Sequence, residues 1–436
     1  MLRILIALCL TLLTTAAYAE TEIKEVTSPG GINAWVVEEP SIPFVALELR
    51  FRGGASLDLP GKRGATNLMT ALLEEGSGDM AAQEFQATLE DLAASFSFRA
   101  SDDLISVSAR FLTENKEEVI ALLRQALVDP RFDQDALDRV RAQVISGIQS
   151  DAKTPNAIAS ATFNAAAFGD HPYGSATDGT VESVGALAQQ DMIDAHRNAL
   201  VKDRLYVSVV GNTTAETVGA LLDDLLGDLP QEGPPLPQDV AFGLDGGVTV
   251  VDFETPQAVA FFGHSGIERD DEDFFAAFII NHVLGAGGFE SRLMTEVREK
   301  RGLTYGISSF LVPKFNAEMI LGRVASSNET IAEAIEVTRN EWARMAQDGL
   351  TAEELATAKT YLTGEYPLRF DGNADIAKIM VAMQVIGLTP DYVVNRNAFV
   401  EEVTLDQVNR VAAELLRPED LHFVVVGQPV GLESTQ

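Results

Sequence analysis

Cysteine is almost missing from this chain: one residue in 436, Cys9, inside the first apolar stretch. Beyond it there is no disulfide to form and no thiolate to act as ligand or nucleophile. Histidine is nearly as scarce. The five are His171, His196, His264, His282 and His422, none lies before residue 171, and no two are one helical turn apart. That spacing excludes a helix-borne pair of zinc-ligating histidines. Positive charge is also short, with 32 Lys and Arg against 65 Asp and Glu and a formal net charge of −33. Such a surface repels nucleic-acid phosphates and anionic lipid and argues against both as partners. Attraction of basic peptides is compatible with it, although a solubilising exterior explains it as well. There is no G-x-S-x-G, P-loop or calcium-loop pattern, and no second long apolar run after the first nineteen residues.

Those nineteen, MLRILIALCLTLLTTAAYA, have an early Arg3, an apolar run from Ile4 to Leu13 and Ala17-Tyr18-Ala19 before Glu20. This is the form of a secretory signal peptide, too short and wrongly flanked for a stable membrane span. Cleavage is expected after Ala19, with the periplasm as destination and no membrane insertion of the mature chain. The remainder, at 46% hydrophobic and 22% charged residues overall, has an ordinary globular composition and a length suited to two domains.

The chain repeats itself at long range. RLYVSVVGN (204–212) and LHFVVVGQ (421–428) are both β-rich runs ending in glycine. FVALELRFRGGA (44–55) has a counterpart in AVAFFGHSGIER (258–269), and helical ALDRVRAQVISGI (136–148) in ELATAKTYLTGEY (354–366). The similar offsets point to one ancestral domain duplicated. Between the copies, DLPQEGPPLPQD carries four prolines and reads as a stiff, extended joint. The expected organisation is a signal peptide (1–19), an N-terminal domain (20–227), a linker (228–242) and a C-terminal domain (243–436). Within each copy strands precede helices. The fold class is therefore α+β, each domain a mainly antiparallel sheet with helices packed on one face.

RLMTEVREKRGLTYGISSF (292–310) concentrates Arg292, Arg298, Lys300 and Arg301 at a predicted helix end, followed by Gly302 and Tyr305. Basic side chains near the last carbonyls and a glycine stop describe a C-terminal cap. They do not account for one Arg and one Tyr at a fixed spacing. The preceding LGAGGFESRL lacks a P-loop lysine and follows a helix, so it reads as a helix-to-helix turn. His282, in FFAAFIINHVLG, reads as a core or interface histidine, and His171, before Pro172, as a turn residue.

Two tandem α+β copies, a proline-rich joint and LGAGGFESRLMTEVREKRGLTYGISS together resemble the pitrilysin/insulinase-type zinc peptidases, in particular the short exported bacterial subunits similar to the mitochondrial processing peptidase. The resemblance covers nearly the whole chain after the leader. It implies a metal site in the first copy, H-x-x-E-H on a helix after a glycine, with a further Glu ligand downstream. Here the matching stretch is GATNLMTALLEEGSG (64–78), which places Asn67 and Ala71 at the histidine positions and Thr70 at the glutamate position. Ser146-Gly147 stands where the last ligand would be. No metal is expected in this chain; Glu74 and Glu75 read as the polar end of a helix before Gly76.

The resemblance also implies that the second copy supplies an Arg and a Tyr, seven residues apart, to the peptidase site. Arg298 and Tyr305 match in type and spacing. Peptide hydrolysis builds negative charge on a carbonyl oxygen, to which a Tyr hydroxyl can donate, and an Arg fork can hold a substrate carbonyl or carboxylate. The expectation is a non-catalytic subunit of a heterodimeric metallopeptidase, whose partner carries H-x-x-E-H and the zinc. A peptide-capturing protein without proteolytic role, and a purely structural subunit, are the alternatives.

Overall fold

The computed structural model describes residues 22–435. The signal-peptide reading and its cleavage point lie outside the described residues. Two sheets organise the chain. The first contains β1 (Lys24–Thr27), β2 (Asn33–Glu38), β3 (Phe44–Arg52), β6 (Ser95–Ala100), β7 (Leu104–Leu112) and β8 (Leu205–Gly211), in the order β1-β2-β8-β3-β7-β6. A small hairpin of β4 (Gly76–Ser77) and β5 (Met80–Ala81) stands apart. The second sheet contains β9 (Gly247–Asp252), β10 (Gln257–Ser265), β11 (Ile307–Pro313), β12 (Glu318–Ser327) and β13 (His422–Gly427), in the order β11-β12-β10-β13-β9.

Read from the opposite edge, the second order repeats the first without β1. In each sheet one pair is parallel, β2 with β8 and β9 with β13, and the remaining pairs are antiparallel. The long-range sequence repeat is thus a repeat of topology. β8 and β13 close on Gly211 and Gly427, at φ +142° and +153°. A side chain at Gly211 would meet the Val45 Cα at 2.9 Å, so only a bare backbone fits there.

The strands send alternate side chains to opposite faces of the sheet. Val45, Leu47, Leu49 and Phe51 of β3 point into the first core with Ile105, Val107 and Phe111 of β7. Helices Ala65–Leu72, Lys116–Val128 and Ala215–Leu226 cover that face. The second core is built likewise, with Phe262 stacked on Phe423 at 4.8 Å and Trp342 edge-on to Phe262.

The expected architecture is present, with each copy's own helices on one face of its sheet, and it is extended by an exchange, because each copy lends a helix to the other face of its neighbour's sheet. Helix Pro155–Phe168 places Phe163 and Phe168 against Val259, Val424 and Val426 of the second sheet. Helix Asn373–Val385 places Ala377, Met380 and Met383 against Trp35, Ala46 and Val210 of the first. Residues between β8 and β9 beyond helix Ala215–Leu226 form no regular element, as their prolines dictate. They are nonetheless tied down. Val240 N–H donates to the Asn316 carbonyl at 2.8 Å, Gly243 N–H to the Ala167 carbonyl at 2.8 Å, and Arg204 Nη1 to the Pro234 carbonyl at 3.0 Å. Among the described residues no helix is long and apolar enough to cross a membrane.

Candidate functional site

The helix that begins as Phe274–Asn281 does not stop cleanly. It widens into a π turn over His282–Ala286, tightens to a 3₁₀ turn at Gly288–Glu290, and resumes as a second π stretch at Met294–Glu299. Such wide turns cluster at functional sites. Glycine makes the first of them possible. A Cβ on Gly285 would lie 2.7 Å from the Ser309 backbone nitrogen, and Gly288 adopts φ +62°. The glycine-rich stretch is therefore the helix-to-helix turn that the sequence predicts. Gly302, at φ +66°, ends the second stretch; its N–H returns to the Arg298 carbonyl and that of Leu303 to the Val297 carbonyl.

The four basic residues of this segment have different fates. Arg292 is fixed by a forked pair to Glu354, Nε to Oε1 at 2.7 Å and Nη2 to Oε2 at 2.8 Å, and also donates to the Gly349 carbonyl. Burial pushes the Glu354 carboxyl up, but the Arg292 fork and the Thr351 N–H outweigh it and pull it down to about 2. Lys300 and Arg301 both bind Glu296, at 2.6 and 2.7 Å, and hold that carboxyl below its ordinary range. Arg301 also donates to the Glu296 carbonyl, a cap of the predicted kind. These three are structural.

Arg298 is the exception. Among the described residues its guanidinium has no carboxylate; it lies 4.7 Å over the Phe289 ring, which is itself 63% exposed. Tyr305 precedes β11, does not enter the core, and is 86% exposed. Tyr305 and the Phe289 face are thus presented to solvent, with the half-buried Arg298 beside Phe289 and without a carboxylate, from an otherwise tightly paired segment. Phe289 has no counterpart among the sequence-level candidates. The signal for it was weak, a single aromatic in a glycine-rich turn. Beside the same turn a cavity of about 260 Å³ opens between His282, Glu290, Ser291, Thr351 and Glu354. His282 is half-buried and stacks on Tyr361 at 5.0 Å, and burial lowers its affinity for a proton. It is a packing histidine at the rim of the cavity.

In the first copy the positions that the resemblance assigns to metal ligands lie on two ordinary helices. Thr70 is buried and its hydroxyl donates to the Asn67 carbonyl at 2.8 Å; Ala71 is exposed and offers no donor atom. Gly147 lies on helix Gln134–Asp151 with open space around it. Glu75 is engaged by both nitrogens of the Arg139 fork, at 2.9 and 2.5 Å, and burial raises the Glu74 carboxyl. A bonded threonine hydroxyl, a methyl group and a bare glycine do not fit a zinc ion. Among the described residues no group of three or more His, Cys, Asp or Glu is placed to hold a metal.

Two family models tile most of the chain. Residues 35–181 match the insulinase (peptidase family M16) model, and residues 186–362 match the model described as the peptidase M16 inactive domain. The chain belongs to the M16 peptidase family. It is similar, at 26% identity over 89% of this chain and 90% of the relative, to a protein of Helicobacter pylori named non-peptidase homolog YmxG. It is also 24% identical, over 90% of this chain and 87% of the relative, to an uncharacterized zinc protease of Streptomyces coelicolor. Among solved structures, a peptidase M16 inactive domain from Pseudomonas fluorescens superimposes with a TM-score of 0.88 at 26% identity, covering 94% of this chain and 99% of that one. Complex III2 from Candida albicans matches with a TM-score of 0.75 at 14% identity, over 93% of this chain and 96% of that one, a likeness of fold alone. This M16 chain is by itself an inactive homologue of the family's zinc peptidases, in keeping with its match to the inactive-domain model and its likeness to a relative named a non-peptidase homolog.

Proposed function

We propose that the chain is the non-catalytic subunit of an exported heterodimeric M16 metallopeptidase, and that it lends Arg298 and Tyr305 to the site of a partner bearing H-x-x-E-H and zinc. The observation that carries this reading is an asymmetry within one short segment. Arg292, Lys300 and Arg301 are consumed by Glu354 and Glu296, whereas, among the described residues, the half-buried Arg298 has no carboxylate partner and Tyr305 is exposed. Leaving a cation unpaired and a phenol in solvent beside a glycine-rich turn has no packing advantage. In the partner's site they have a use. The Tyr305 hydroxyl donates to the oxygen that gains charge as a peptide bond is broken, and the Arg298 fork, kept in plane by Phe289, binds a substrate carbonyl or carboxylate. Export to the periplasm is part of the same reading and rests on residues 1–19.

The test is hydrolysis of an unstructured reporter peptide by this chain, by the H-x-x-E-H partner, and by the mixture, with zinc present. The mixture alone should turn over. Arg298→Ala or Tyr305→Phe should lower its rate by roughly 10²–10³-fold, with complex formation by gel filtration unchanged. Full activity of both variants in an intact complex would sink the assignment. A mixture that binds the reporter without cutting it would favour the peptide-capture alternative.

A further inference from the structure

Strands β6 and β7 carry the same short pattern, Ser-x-Ser-x-Arg, as Ser95-Phe96-Ser97-Phe98-Arg99 and Ser106-Val107-Ser108-Ala109-Arg110. The two-residue period puts the polar members of each strand on one face, away from the core that holds Phe96, Val107 and Ala109. Antiparallel register then sets Arg99 opposite Ser106, Ser97 opposite Ser108, and Ser95 opposite Arg110. On the other side of β7, Arg50 of β3 is also opposite Ser106. The helix lent by the second copy lies over β8 and β3 and stops short of this corner, where it contributes Lys378. The result is a cavity of about 360 Å³ with a serine floor, four cations and no lining carboxylate.

The neighbouring acids are already engaged. Glu48, buried on the same face of β3, accepts from Arg50 Nη1 at 2.8 Å and from the Ser108 hydroxyl at 2.7 Å. Asp375 lies 3.4 Å from Lys378. Arg99 and Arg110 are exposed and, among the described residues, have no carboxylate partner. In a chain with 65 acidic against 32 basic residues, a cavity whose charged lining residues are all cations is a local reversal of the global field.

We infer that this face is a binding site for an extended peptide segment bearing carboxylates on alternate residues. The inference rests on the peptide-handling reading above and adds the chemistry of the segment. Among the described residues β6 is paired on one side only, so it offers a sheet edge to an added strand. A strand added there turns alternate side chains toward the face of Ser95, Ser97 and Arg99. The Arg99 and Arg110 rows are separated by the four residues from Ser106 to Arg110 on β7, about 13 Å at the rise of a strand. Side chains at i and i+4 of an extended segment span the same length. Guanidinium forks match carboxylates, and the serine hydroxyls between them supply further donors. The acidic surface as a whole attracts basic peptides; this cavity selects the opposite class.

The test uses the full chain alone, without turnover, so its outcome is independent of whether Arg298 and Tyr305 complete a partner's site. Fluorescence anisotropy compares short labelled peptides that alternate Thr with Glu, Gln or Lys. The Glu peptide should bind about tenfold or more tightly than the Gln peptide, with the advantage shrinking as salt is raised. The double variant Arg99→Glu, Arg110→Glu, at two exposed positions, should lose that advantage and prefer the Lys peptide. Equal binding of Glu and Gln peptides, or Glu-peptide binding unchanged in the double variant, overturns the inference. So does a double variant that no longer assembles with the H-x-x-E-H partner while the parent chain ignores the Glu peptide, since the face is then a subunit contact.

Discussion

The two copies share a strand order and have kept opposite things. In the first, the helix Ala65–Leu72 is followed by a small hairpin, and two polar groups beside it are paired: Thr70 with its own backbone, Glu75 with Arg139. In the second, the equivalent helix runs into two π stretches, and although three basic residues are paired, Arg298 and Tyr305 are left presented. The comparison teaches that one segment pairs its polar side chains within ordinary helix packing, whereas the other leaves an Arg and a Tyr without a carboxylate partner among the described residues. It also shows that the copies are not independent, because each needs the other's helix to cover a sheet face.

That mutual cover gives the largest expected effect. Phe163, fully buried, packs against Phe242 at 5.8 Å and Phe261 at 5.1 Å. Phe163→Ala should cost about 3–5 kcal/mol in urea unfolding. It should weaken both copies together; separate transitions with one unshifted would show that the exchange is not cooperative.

Next in size is a buried neutral histidine in the second copy. Trp342 Nε1 donates to His264 Nε2 at 3.0 Å, and burial lowers the His264 ring to about 4. The unfolded ring titrates near ~6.5. Between those values the unfolded chain binds the proton that the folded one refuses, so stability falls as pH drops from about 6.5 to about 4. His264→Phe should cost about 1–3 kcal/mol at neutral pH by orphaning the indole N–H, and should flatten the slope of stability against pH in that window. An unchanged slope would assign it to other groups, His196 of the first copy among them.

The smallest effects contrast two glycines. Gly285 faces the Ser309 backbone nitrogen, 2.7 Å from where a Cβ would stand, and Gly147 faces open space on a helix. Gly285→Ala should destabilise by about 1–3 kcal/mol and lower the activity of the mixed complex by displacing Arg298. Gly147→Ala should stabilise by about 0.5–1 kcal/mol. Thermal unfolding of the two variants separates a glycine that a close backbone approach requires from one that its helix does not need.

Much of this was legible without coordinates. The glycine-ended strands, the repeated helix pattern and the alternation of Phe96–Arg99 with Leu104–Phe111 are local consequences of side-chain period, and the structure forms them where the pattern places them. The helix exchange was not legible, because the apolar stripe on Pro155–Phe168 fits either sheet equally well as a pattern. The cationic face was present as two Ser-x-Ser-x-Arg strings, but only pairing register sets them side by side and only the exchanged helix brings Lys378, more than two hundred residues away, to their edge.

The sequence by itself determined the strand and helix segments, since these depend on neighbours a few residues apart, and the duplication, since like stretches can be compared at any separation. Only the tertiary structure decided which of four basic residues in one short segment are free and which are bound. The carboxylates that choose among them, Glu354 for Arg292 and Glu296 for Lys300 and Arg301, are placed by the packing of helices and not by the order of residues.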